Sequence, residues 1–288
     1  MDFKIYHQPV LVQPLMDHFK LTNNATVFDG TMGFGGHADA ILSEYPSLRY
    51  FGFDKDLAAI AMAKQRFARY SNVQIIHSPF SSMFQHLDGG QRPTHILLDL
   101  GVSSFQIDQS NRGFTFQKNE PLDMRMDTNA GLTAYHVLHD YSPDALVKLF
   151  ELQGDIRGSH KFVGEIIAKR NAHHLNSTFD LVDCVKRGFF LRSRRQFIAM
   201  CTKVFQAIRI EVNGEMKELK AFLDQVLNYS GLIVAIITFQ PNEDKTLKAF
   251  IKDHGLIRIT KKPCQSSYQE CKKNPRERTA KLRIFQVQ

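Results

Sequence analysis

Three aspartates stand at the ends of apolar runs: Asp29 closes TVFD, Asp54 closes RYFGFD and Asp99 closes THILLD. The first is followed by glycines at 30, 33, 35 and 36, then by a helical pattern from Ala38 to Glu44. An acid at the carboxyl end of a buried strand, beside a glycine loop that opens a helix, is the layout of a nucleotide-type cofactor site at the edge of a parallel sheet. Glycines let the backbone turn tightly and approach a ligand closely. The run G-T-M-G-F-G-G does not fit the dinucleotide fingerprint G-x-G-x-x-G. Asp54 lies 18 residues past Gly36, where an acidic side chain can accept hydrogen bonds from both hydroxyls of a ribose. Each acid could instead cap a helix, and the loop alone could be a tight turn. Three such acids after one glycine loop favour a ribose-bearing cofactor.

Residues 99–127, DLGVSSFQIDQSNRGFTFQKNEPLDMRMD, are polar and carry charges of both signs, with Phe105, Phe114 and Phe116 interleaved. A long segment without a periodic pattern is functional or disordered, and the aromatics with Met124 and Met126 disfavour disorder. Aromatic rings beside a strand-end acid suit stacking on a flipped base. They could equally pack an insertion onto the core.

The elements that must hold these residues follow from periodicity. Residues 9–20 have apolar positions at helical spacing, interrupted by Pro14, and are expected to cap the first strand as a helix. Strands are expected over 26–28, 49–54, 72–80 and 94–102, with a helix over 55–69, which argues for βαβ units and a parallel sheet. From Gln109 to Ile208 the patterns turn helical, at 142–153, 162–172 and 179–190, with Pro143 placed as a helix start. A further helix over 213–228, a buried strand over 232–239 and a hairpin-like pair, 256–262 with 280–287, complete the chain. The expected architecture is α/β, a sheet domain from 1–108 and 209–288 interrupted by a helical domain over 109–208.

Composition bounds the partners. The 288 residues are 43% hydrophobic and 23% charged, an ordinary globular balance. No apolar run approaches the ~20 residues of a membrane helix, and the start of the chain lacks the layout of a signal peptide. Cys184, Cys201, Cys264 and Cys271 show no C-x-x-C spacing and read as free thiols in a reducing cytoplasm. The net charge of +8 is unevenly spread. Residues 156–209 hold eleven Lys/Arg against three Asp/Glu, and residues 255–288 nine against two, so the remainder is acidic. Two basic arms on an acidic core fit a protein that grips a polyanion, although solvated helix faces often carry a basic excess as well.

The segments HQPVLV, DGTMGFGGH, FDKD, HSPF, ILLDLGVSSFQID, RGFTF, PLDMRMD, FQAIRIEVNGE and NPRERTAKLR together resemble the bacterial 16S ribosomal RNA cytosine-N4 methyltransferase family, in family order and over nearly the whole length. The resemblance implies a class I Rossmann-like methyltransferase sheet with an inserted helical domain, S-adenosylmethionine as cofactor, and a cytidine of the decoding region in the small ribosomal subunit as target. It implies cofactor contacts at Gly35, Gly36, His37, Asp54, Phe80, Asp99 and Gln106. The backbone of Gly35–His37 would meet the methionine end, Asp54 the ribose and Phe80 the adenine. Asp99 and Gln106 would face the sulfonium side and the target base. The exocyclic nitrogen of cytosine is a poor nucleophile, so a site should accept its N–H hydrogens and align it with the methyl group. Asp99, with Ser103 and Ser104, is the candidate catalytic group, and neither a metal nor a covalent intermediate is needed. For Asp123, Arg125 and Asp127, shaping a base pocket and forming a structural ion-pair cluster are equally open. Arg192, Arg194, Arg195, Lys203, Arg276 and Arg278 are the expected RNA contacts. Oligomeric state is open, a homodimer included.

The chain departs from the family pattern in places. TFQPNEDK (238–245) stands where relatives have SFHSLEDR, AMCTKVFQ (199–206) where they have HPATRTFQ, and QGDIRGSHKFVGEI (153–166) where they have a YGEERFA-like stretch. These departures leave two alternatives: a different ribosomal RNA site, or a cofactor-binding ribosome assembly factor without turnover. DNA is the weaker substrate, because Asp99-Leu100-Gly101-Val102 is not the Asp/Asn/Ser-Pro-Pro-aromatic tetrapeptide of DNA amino methyltransferases.

Overall fold

The computed structural model describes residues 9–87 and 92–288. These divide into two compact units, Met1–Val102 with Met216–Gln288, and Ser103–Glu215.

The first unit is a mixed sheet. Four parallel strands, β1 (Thr26–Asp29), β2 (Arg49–Asp54), β3 (Val73–His77) and β4 (His95–Asp99), are joined by β5 (Ile233–Thr238). The last strand, β7 (Lys281–Gln286), runs antiparallel to β5, and the short β6 (Ile257–Arg258) pairs antiparallel with β7. The order is β3-β2-β1-β4-β5-β7-β6, the class I methyltransferase sheet. The expected pairing of 256–262 with 280–287 survives at β6 and β7, but β7 also fills the place between β5 and β6.

Successive side chains point to opposite faces of a strand, and both faces here are covered. Val27, Leu97, Ala235, Ile237 and Leu282 pack with Leu15 of α1 (Val12–His18), Ile41 and Leu42 of α2 (Gly36–Glu44), and Ala63 of α3 (Leu57–Arg66). Phe28, Ile96, Leu98, Val234, Ile236 and Phe285 face the other way. Burial on both faces explains why these strands read as continuous apolar runs rather than alternating ones.

The second unit is helical. It holds α4 (Ser104–Asp108), α5 (Ala134–Asp140), α6 (Pro143–Gly154), α7 (His160–Asn171), α8 (Thr178–Gly188) and α9 (Arg194–Asn213). Its starts are chemically marked: Ser142 caps α6 ahead of Pro143, Ser177 forms a capping box on α8, and Ser193 caps α9. The buried stripe Cys201, Val204, Phe205, Ile208 and Val212 of α9 lies in a core built wholly of residues from this unit. That helix is unbroken across residue 208 and ends only where Gly214 takes φ 59°. The unit therefore extends past the boundary expected at 208, because a helix cannot be cut between two buried turns. Beyond it, α10 (Glu215–Val226) and α11 (Pro241–Asp253) send Leu219, Phe222, Leu247 and Phe250 onto the second face of the sheet. The small α12 (Tyr268–Lys273) precedes β7. Among the described residues, no helix is long and apolar enough to cross a membrane.

Candidate active site

The strand order reverses between β1 and β4, and the crevice outside the carboxyl ends at such a switch point is where open α/β sheets bind ligands. Asp54, Asp29 and Asp99 end β2, β1 and β4, three neighbouring strands. The adjacency expected from sequence is present.

Their environments differ. Asp29 is buried, accepts the Tyr50 hydroxyl at 2.7 Å and the Thr31 N–H at 3.1 Å, and burial pushes its pKa up to about 7. It is an internal brace rather than a ligand contact. Asp54 accepts the N–H groups of Gly33 and Asp56, each at 2.8 Å, and burial raises its pKa to about 6. Neither Asp54 nor Asp29 caps a helix; Asp56 does so for α3, accepting Ala58 N–H at 3.0 Å. A carboxylate has about four acceptor positions, so Asp54 retains capacity toward hydroxyl donors. For Asp99, burial first, then the negative fields of Asp29 and Glu243, hold the pKa well above the carboxylate range. Its own N–H donates to Thr31 Oγ1 at 2.6 Å. Thr31 thereby links the two acids, one through its backbone and the other through its hydroxyl.

The glycine loop is shaped by protein as much as for ligand. Gly33 has φ 51°, its N–H is turned to Asp54, and the nearest atom to an added Cβ is a backbone oxygen at 3.8 Å. Gly35, at φ 76°, opens α2 without a capping side chain, and a Cβ there would strike the Phe67 ring at 2.2 Å. Gly36 and His37 then form the first turn of α2, an N-terminus suited to a carboxylate. His37 donates from Nε2 to the Val10 carbonyl at 2.9 Å, and burial lowers its pKa to about 4. Its Nδ1 lies 3.8 Å from Asp99 Oδ2. That distance is beyond a hydrogen bond, and a neutral ring makes no ion pair. Phe80 is a core ring, 7% exposed and edge-to-face with Phe222 at 5.8 Å.

In the helical unit, Ser103 and Gln106 form a capping box on α4: Ser103 Oγ accepts Gln106 N–H at 3.2 Å and Gln106 Oε1 accepts Ser103 N–H at 3.0 Å. Ser104 is the first residue of that helix. Arg125 grips Asp123 through Nε at 2.9 Å and Nη2 at 2.8 Å and donates to the carbonyls of Thr128 and Ala130. The pair holds the Asp123 carboxyl below its usual range against the effect of burial. The two residues form an ion pair that ties this loop together. Arg192, Arg194, Arg195 and Arg278 are exposed. Lys203 reaches the Asp155 carbonyl at 2.9 Å and its carboxylate at 3.4 Å on an open surface, an interaction of about 0–1 kcal/mol. The side chain of Arg276 lies outside the described residues, as do His7 and Gln8. Among the described residues, no cluster of three or more His, Cys, Asp or Glu is placed to hold a metal.

Sequence reasoning passed over Thr31, Tyr50 and Glu243 as site residues. Glu243 is buried at the start of α11, where it accepts the N–H groups of Phe239 at 2.9 Å and Gln240 at 3.1 Å. Its signal was Pro241 followed by Asn-Glu-Asp, a helix start. Tyr50 had a weaker one, a hydroxyl inside an apolar strand.

A family model described as the MraW methylase family matches residues 4–288. Among curated proteins, three named "Ribosomal RNA small subunit methyltransferase H" are close relatives. That of Nitratiruptor sp. is 38% identical over 303 residues, covering 97% of this chain and 98% of its own. The Helicobacter pylori protein is 37% identical over 304 residues, 97% of each chain. The Campylobacter jejuni protein is 33% identical over 305 residues, 98% and 97%. With a match that takes in both the strand-end acids and the helical unit, the chain belongs to the MraW methylase family.

Proposed function

We propose that this chain methylates the exocyclic N4 of a cytidine in small-subunit ribosomal RNA, in the decoding region of 16S RNA, with S-adenosylmethionine as cofactor. The observation that carries the reading is Asp99, at the switch point, with two further carboxyl groups raising its pKa. Family membership and the names of the relatives support an RNA methyl transfer.

The residues at the sheet edge fit such a cofactor. Asp54 has acceptor capacity for a ribose, the uncapped first turn at Gly35, Gly36 and His37 suits a carboxylate, and Asp99 suits a neighbouring cation. When bound, S-adenosylmethionine supplies a methyl group on a positively charged sulfur. With no cation beside it, burial favours the protonated form of Asp99. A cation beside it lowers its pKa and leaves the carboxylate, which can accept a proton. Asp99 then accepts an N–H of the cytosine amine and draws the nitrogen lone pair out of conjugation. When the methyl passes to the nitrogen, the S–C electron pair would stay on sulfur and the nitrogen would give one proton to Asp99. Thr31, holding the Asp99 backbone, keeps that acceptor in place.

The test is methyl transfer from labelled S-adenosylmethionine to 30S particles lacking the modification, with the product nucleoside identified by mass spectrometry. N4-methylcytidine is the expected product. Label in another nucleoside would retire the specificity, and cofactor binding with no label on any ribosomal particle would favour an assembly factor.

A further inference from the structure

The segment from Cys184 to Ile210 contains seven Lys/Arg and no Asp/Glu. In its middle, between α8 and α9, Phe190 is 86% exposed. Its neighbours are anchored: Phe189 lies 5.0 Å from Phe162 between ring centroids, and Leu191 and Phe197 pack on the core of the helical unit. The backbone is tied down too. Phe189 N–H donates to the Val185 carbonyl at 3.2 Å, Arg192 N–H to Gln196 Oε1 at 2.8 Å, and Gln196 N–H to Ser193 Oγ at 3.2 Å. One ring is thus held out into solvent by a fixed loop, so a partner would not have to order it.

The surroundings specify the partner. The Arg192 guanidinium lies 5.4 Å from the Phe190 ring centroid, a cation–π arrangement. Arg194 and Arg195 follow, both exposed. They occupy the first turn of α9, which contains no acid, although a helix start disfavours cations. Positive charge is kept there at a cost to the helix, and an anion would relieve it. A flat aromatic face with a guanidinium over it, in a segment that carries arginines and no acid, matches unpaired nucleic acid: bases stack on the ring and phosphates meet the guanidinium groups. A duplex hides its base faces and could use only the charges. A protein partner would find a single ring in a segment with only basic charges.

We infer that Phe190 and Arg192 form a stacking site for one unpaired base of the RNA substrate, with Arg194 and Arg195 on the flanking phosphates. This rests on the RNA reading above and adds a platform that reads single-strandedness.

The chain has no tryptophan, so Phe190→Trp installs a sole tryptophan reporter at the site. With the full-length protein at low salt, an unstructured mixed-sequence RNA oligonucleotide is expected to quench that tryptophan, and a blunt RNA duplex of equal length to leave it unchanged. Phe190→Ala should weaken binding to the single strand about tenfold, the scale of one lost base stack, and leave duplex binding unaltered. Phe190→Trp should retain wild-type affinity. Circular dichroism and the melting midpoint of Phe190→Ala should match the wild type, because the ring is exposed. Arg194→Ala with Arg195→Ala should weaken both RNAs and flatten the salt dependence. An unquenched tryptophan at saturating RNA, or equal loss for single strand and duplex, overturns the stacking site. So does a Phe190→Ala defect seen only with 30S particles and not with the oligonucleotide, which would mean a protein contact. A wild type that binds neither RNA would instead sink the RNA reading itself.

Discussion

At the scale of single residues, the site is a set of carboxyl groups kept in unfavourable surroundings by hydrogen bonds. Asp99→Asn is expected to lower turnover by roughly 100- to 10,000-fold, the usual range for a lost proton acceptor. Cofactor binding by calorimetry should persist; undiminished turnover in a folded variant would remove Asp99 from the chemistry. Asp29 yields a prediction about stability. Its pKa rises from 3.8 to about 7 on folding, so the folded state holds the proton more tightly than the unfolded chain. Its contribution is complete below pH 4 and is lost as pH rises through 7. His37 and His95, both lowered to about 4 by burial, act in the opposite sense and lose theirs as pH falls from 6.5 to 4. Asp29→Asn removes only the first effect. Its melting temperature relative to wild type should therefore increase from pH 5 to pH 8, and a difference independent of pH would disprove the assignment. The acids themselves were legible because apolar runs reveal strand ends. Thr31 and Tyr50 were not, because the partners that place them in the site, Asp99 for Thr31 and Asp29 for Tyr50, lie on neighbouring strands, and only the register of β1 against β2 and β4 brings them together.

Among elements, α9 shows the tension between stability and surface. Arg194→Glu with Arg195→Glu would place acids in its first turn and is expected to stabilise the helix by about 0.3–1 kcal/mol per site, while RNA affinity falls. Chemical denaturation and RNA titration of the same variant test both halves; loss of stability would mean the arginines have structural partners. The parallel strands and three helices of the insertion, α6, α7 and α8, follow from apolar spacing, whereas α4, α5 and α9 were not expected from it. The end of α9 does not follow either, since charge counts fall off near residue 209 while the buried stripe continues to Val212. Residues 238–245 read as a family motif with departures, yet in the structure they carry the start of α11, with Pro241 at its first position and Glu243 bonding back to the preceding N–H groups. Motif reading masked an ordinary helix signal there. The place of β7 could not be read at all, because a hairpin-like pair does not say which strand of the sheet it joins.

For the whole molecule, two units with separate cores are expected to melt as two calorimetric transitions rather than one. Adding S-adenosylmethionine should raise the transition of the sheet unit. A single transition with equal calorimetric and van't Hoff enthalpies would show that the units unfold together. The interrupted sheet also has a consequence for how the protein is made. Strand β4 leaves the ribosome with one edge lacking its partner, and β5 begins only at Ile233. At ~5–20 residues per second, the growing chain carries that unpaired apolar edge for on the order of 10 s, while the intervening helices, whose contacts are local, have time to form. β5 in turn waits for β7, which begins only at Lys281. The order of synthesis thus makes the central strands the most vulnerable part of the nascent chain to aggregation, and the final strand the one that closes the sheet.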